Sequence, residues 1–343
     1  MQSCYKILKD LIPRSCMIWR NLVTSGFLAE KEESSSATTT NLRSDTDTTT
    51  QFKFKYFDSK RIDPFLLQSS SFIQVVHLVE SLIENRNLNV YFAHVAIPEL
   101  RPVNLFDKQQ SLQYSDQIKT FLCGLVQDLR YSVKGLPDAY SHFLGNYAVD
   151  STSKDDVIEY DTTTINGIIS LEKSNRTTPA IIAKQVFLIF AKTLHELGHA
   201  SIYRSGRLML STSLHVNKAN VCSHTPATHA LSGEAGNAVE RFLFGSVIGT
   251  LGKTNGDLYI IKEILLQEQK PNGVIDSSWL QRFIALDLTN LNEIPKIIYI
   301  PLTNKKLKAA KSSPKCAEAY KSDDDYDSEN EDEDDEPLLT TTN

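Results

Sequence analysis

An α+β fold is predicted for this chain of 343 residues, with a mixed lobe of helix and sheet before a long central helix and a mainly helical lobe after it. Three observations lead there. Apolar residues recur at helical spacing in several long segments. Shorter runs rich in β-branched residues lie between them. The longest helix-like segment, opening at Pro179, carries His195-Glu196-Leu197-Gly198-His199 near its end.

Composition divides the chain into residues 1–51, 52–312 and 313–343. The first thirty residues mix apolar side chains with Lys6, Lys9, Arg14 and Arg20, and Pro13 interrupts any long helix. No apolar stretch there reaches the length of a signal-peptide core or a membrane span, and Asp10 argues against a mitochondrial presequence. Residues 31–50 are a Ser/Thr/Asp linker too poor in apolar surface to order. The folded part is expected to start near Phe52 and is long enough for one large or two small lobes.

Within it, 71–85 (Phe72, Val75, Val76, Val79, Leu82, Ile83) and 112–133 (Ile118, Phe121, Leu122, Leu125, Val126, Leu129) carry the helical period. Residues 89–97 between them read as a strand. Residues 163–172 also read as a strand, with Ile165, Ile169 and Leu171 on one face and Gly167 suiting a bulge or a close backbone approach. The central helix follows, with Pro179 in its first turn and Ile181, Ile182, Val186, Phe187, Ile189, Phe190, Leu194 and Leu197 dense enough for a mostly buried helix. Ser205-Gly206 is its expected stop. A helix after Glu234 and two more, over 258–268 and 277–286, precede a short strand over 297–301. His77, His94 and His142 belong to no motif and read as structural.

The H-x-x-x-H spacing carries chemistry. Histidines four residues apart share one helix face, one turn above each other, so their ring nitrogens can converge on a single ion, for which Zn²⁺ is suited. Glu196 points away from the ion but reaches a water beside it. Zinc lowers the pKa of such a water, and the carboxylate takes its proton as it attacks a carbonyl.

His195, Glu196 and His199 resemble the active-site helix of the zincin metallopeptidases. The resemblance is specific over about a dozen residues. It implies a cleft between two lobes, a third metal ligand, and a strand just before the helix whose edge pairs with an extended substrate, here 163–172. Metzincins require Gly and His where this chain has Ile202 and Ser205. Gluzincins take their third ligand from a later glutamate, and Glu234, in Ser232-Gly233-Glu234, matches it; a first-turn glutamate that only caps a helix is the alternative. Ala238 stands where the gluzincin aspartate that steadies a histidine would be, so Glu240 or Asn237 is expected to orient the imidazoles. Glu240, His215, His224 and His229 remain open as third ligands. His229 is also the best candidate for the donor that steadies the oxyanion, with His224 next.

The cysteines at 4, 16, 123, 222 and 316 are scattered and odd in number, so no disulfide framework is expected, and an intracellular, cytoplasmic protein without a membrane anchor is. Residues 322–336 hold eleven carboxylates and no cation, and without them the formal charge of −6 becomes +5. Such runs are mostly solvated disorder, and this one could contact basic proteins. Charge density this low points to no nucleic-acid partner. The expected function is zinc-dependent hydrolysis of a peptide or protein substrate, with His195, His199 and Glu234 on the metal and Glu196 as general base. The alternative is a non-catalytic zinc-containing protein that binds peptides or regulates through its acidic tail.

Overall fold

The computed structural model describes residues 53–97, 100, 107–145, 156–174, 177–210, 235–268 and 272–302. The linker and the acidic tail lie outside these residues, as do Glu234, His215, His224 and His229. The fold is α+β, built around one helix.

Helix α1 (Ser70–Glu84) forms where the helical period required it, opened by the Ser69 hydroxyl on the Phe72 amide. The segment expected as a strand over 89–97 instead coils. Helix α2 (Arg86–Asn89), a 3-10 turn (Val90–Phe92) and helix α3 (Ala93–Ala96) follow directly on one another. Asn85 starts the turn by accepting from the Asn87 amide at 2.7 Å. Val90, Phe92, Ala93, Val95, Ala96 and Ile97 are all buried, and an apolar run buried on every side leaves no period by which strand and helix differ.

Helix α4 (Lys108–Leu112) and helix α5 (Ser115–Asp128) replace the first part of the single helix expected over 112–133. At Leu129 the backbone turns extended, and the chain continues as strand β1 (Arg130–Lys134). Strands β2 (Ser141–Leu144) and β3 (Val157–Asp161) complete a sheet of order β1-β3-β2, with β1 parallel and β2 antiparallel to β3.

Residues 163–172, expected as an edge strand, are helix α6 (Thr162–Glu172). The strand ends one step earlier because Asp161 caps the helix, accepting from the Thr164 amide and from both the Thr163 and Thr164 hydroxyls. The buried positions Thr164, Ile165, Ile168 and Ile169 then follow helical spacing. Gly167 does mark a close approach, but of the helix to a second sheet: a Cβ there would lie 2.1 Å from the Tyr259 carbonyl oxygen.

Helix α7 (Pro179–Leu210) is central among the described elements, 32 residues long, and it runs through Gly206 rather than stopping there. Ala183, Val186 to Ala191, Leu194 and Leu197 are buried, because α1, α5, α6's neighbouring sheet and the elements after it enclose the helix on several sides. Among the described residues, no helix is long and apolar enough to cross a membrane.

Among the described residues, the part after α7 is not mainly helical. Helix α8 (Ala235–Phe244) packs along α7 and leads into strands β4 (Ile248–Asn255), β5 (Leu258–Leu266), β6 (Gly273–Ile275) and β7 (Tyr299–Pro301), an antiparallel sheet in that order. The stretch expected as a helix over 258–268 is thus β5. Gly256, at φ +57°, closes a two-residue hairpin that pairs β5 with β4, and local apolar density gave way to that pairing. Helix α9 (Ser277–Ile284) forms as expected, capped by Asp276, and stacks Trp279 and Phe283 near Phe187 of α7 with ring centroids 5.7 and 5.4 Å away.

Candidate metal centre

The site lies on the buried middle of α7 and draws on β2, α8 and β4. Its helix is held in register by two hydroxyls from adjacent strand positions. Ser141 of β2 and Tyr160 of β3 face each other across the sheet, and both side chains point at α7. Tyr160 Oη meets Thr193 Oγ1 at 2.8 Å, and Ser141 Oγ donates to Glu196 Oε1 at 2.7 Å. Residues 193 and 196 share a helix face, so one strand pair locks one turn of α7.

His195 and His199 turn their Nε2 atoms toward each other at 3.2 Å, with ring centroids 5.0 Å apart. Two imidazoles on one tetrahedral zinc, with Zn–N near 2.05 Å, hold their nitrogens about 3.3 Å apart. The separation fits an ion between them. A ligand atom of Glu196 joins the two histidines within a cluster whose members all lie within 4.8 Å. Glu196 is buried while the two imidazoles are partly accessible.

The far side of His195 is fixed by Glu240. Its Nδ1 lies 2.9 Å from Glu240 Oε1, and a carboxylate only accepts, so the proton is on Nδ1 and Nε2, which faces His199, is the ring nitrogen that carries the lone pair. Glu240 is fully buried. Its Oε1 also accepts from Lys192 Nζ at 2.8 Å, and its Oε2 from the Ile248 amide at 2.5 Å. Burial pushes this carboxyl up, but the Lys192 ammonium and the His195 hydrogen bond together outweigh it and hold the group below its ordinary value.

That arrangement has a local origin. Gly245, at φ +73°, ends α8 and donates to the Arg241 carbonyl at 2.8 Å, which turns the chain so that the first amide of β4 returns to Glu240. Close packing between the helices completes it. Gly236 rests on the His195 ring, where a Cβ would be 2.3 Å from Cδ2, and a Cβ on Gly198 would be 2.9 Å from the Ala235 carbonyl oxygen.

Of the predicted site residues, the structure brings His195, Glu196 and His199 together. Glu240 lies against His195 Nδ1, whereas His195 meets His199 through Nε2, so Glu240 contacts the ring from the side away from His199. Ser141 was missed, and no sequence signal marked it, since it stands 55 residues before its partner. No protein-family model, no curated protein and no solved structure matches this chain.

Proposed function

We propose that this protein is a zinc-dependent peptide-bond hydrolase of zincin type, with His195 and His199 as metal ligands. One observation carries the reading: two Nε2 atoms 3.2 Å apart, one of them oriented through Nδ1 by a buried carboxylate, beside a third ligand-type group that is itself held by a hydroxyl.

Glu234 is the proposed third ligand, in the gluzincin manner. It is one peptide bond ahead of Ala235, whose carbonyl lies against Gly198 between the two histidines. When bound, zinc supplies Lewis acidity that polarises a carbonyl and draws the pKa of a water toward neutrality. Glu196 accepts the proton of the attacking water and returns it to the amine nitrogen as the C–N bond breaks. His229 is proposed as the oxyanion donor.

The open edge of β2 supports a peptide as substrate. The Asp161 amide bonds the Tyr140 carbonyl at 2.9 Å, and alternation along an antiparallel pair then directs the Ser141 and Phe143 backbone groups away from β3. Among the described residues no strand covers that side. An extended chain can add there, next to the residue that touches Glu196. This role passes to β2 from the segment 163–172.

Metal analysis of the purified chain and hydrolysis of a quenched fluorescent peptide library test the proposal. One zinc per chain and activity lost by a factor of about 100 or more in Glu196→Gln, with zinc retained, are expected. A chain that binds no zinc, or a Glu196→Gln variant of full activity, refutes it.

A further inference from the structure

We infer that Ser141 is a positioning residue for Glu196, so that edge strand β2 also aims the general base. The inference rests on the metal-site reading above and adds a residue to it. Ser141 and Glu196 are 8% and 3% exposed, and their hydrogen bond is 2.7 Å long. In so dry a setting a hydroxyl donor to a carboxylate is a strong, directional contact. It engages Oε1 alone, which leaves Oε2 of Glu196 as the oxygen for proton transfer.

The alternatives available to the serine hydroxyl are limited. Its strand neighbours Tyr140 and Tyr160 direct their own hydroxyls elsewhere, to Thr250 and Thr193, each at 2.8 Å. Those two contacts hold β2 and β3 against β4 and α7, so the backbone under Ser141 is anchored from both sides. A glutamate side chain has three rotatable bonds, and among the described residues this donor selects the arrangement in which it stays within the His195 and His199 cluster. Packing of α7 alone would place the Cα of Glu196 but not its oxygens.

The test compares Ser141→Thr, which keeps the hydroxyl, with Ser141→Val, its isostere without one, alongside Glu196→Gln and the Ser141→Val/Glu196→Gln double variant. The probe is acetohydroxamate binding to the zinc-loaded full chain, measured by calorimetry, because a hydroxamate chelates the ion and gives its hydroxyl proton to a correctly aimed carboxylate. Zinc content and melting temperature are recorded for each protein.

We expect zinc to be retained throughout, affinity to fall about tenfold in Ser141→Val and to stay within about twofold of the parent in Ser141→Thr. The double variant should be no weaker than Glu196→Gln, since both changes remove one interaction. Unchanged affinity in Ser141→Val, or losses that add in the double variant, overturns the positioning role and leaves the metal site standing. A parent chain that holds no zinc overturns both.

Discussion

Replacing Glu240 by glutamine exchanges one buried oxygen for an amide nitrogen, and the structure says what that costs. The carboxylate accepts three hydrogen bonds, from His195 Nδ1, Lys192 Nζ and the Ile248 amide. An amide offers a single acceptor atom. If that oxygen stays with His195 and Lys192, the new N–H₂ faces the Ile248 amide donor; if it turns to Ile248, the N–H₂ faces His195 and Lys192. Either way a buried donor loses its acceptor, and the Lys192 ammonium, only 12% exposed, loses its counter-charge. The imidazole also becomes a poorer ligand, because its Nδ1 proton no longer points at a full negative charge. Loss of such a supporting carboxylate weakens metal binding about 10- to 100-fold, or about 1.4 to 2.8 kcal/mol. Competition with a chromophoric chelator measures it directly. A Glu240→Gln zinc affinity within about twofold of the parent would refute the idea that Glu240 sets the tautomer and direction of His195.

Two other perturbations probe the surroundings. Gly236→Ala puts a Cβ 2.3 Å from His195 Cδ2, so the ring or α8 must withdraw by about 1 Å at a cost of about 1–3 kcal/mol; the zinc-induced rise in melting temperature should shrink, and an unchanged rise would show that the two helices are not closely fitted there. Glu84 lies at the end of α1, where burial raises its carboxyl but Lys119, Lys55 and Tyr56 lower it further, to about 2 from 4.5. A depressed carboxyl stabilises the fold above the unfolded value and ceases to as pH falls through the folded one. Allowing for screening at the two lysines, which are 62% and 38% exposed, Glu84→Gln should lose about 1–2 kcal/mol at neutral pH in urea unfolding. The gap should close between pH 4.5 and 2, and a gap independent of pH would contradict the assignment.

Local sequence and tertiary context contributed differently to this protein. The central helix, its two facing histidines and the glutamate beside them were legible because residues four apart on a helix meet whatever else the chain does. Helices α1 and α9 were legible for the same reason, each with a side-chain cap and a one-sided apolar pattern. Where apolar residues are buried on all sides, as over 89–97, the pattern carries no period. Segment 163–172 has β-branched residues suited to a strand, yet Asp161 and its threonine partners start a helix there, and Gly167 lets that helix press on the Tyr259 backbone. Strand β5 has the composition of a buried helix and is a strand because β4 pairs with it.

The chemistry of the site divides along the same line. Motif spacing supplies the pair of nitrogens, but what aims them comes from far along the chain: Glu240 stands 45 residues after His195, and Ser141 stands 55 before Glu196. No local pattern encodes either contact, because hydrogen bonds between distant residues exist only once α8, β2 and α7 have packed. The sequence placed a metal-type pair on a helix; the packing of the surrounding elements decided which oxygen meets the His195 ring, which hydroxyl holds Glu196, and which strand borders them.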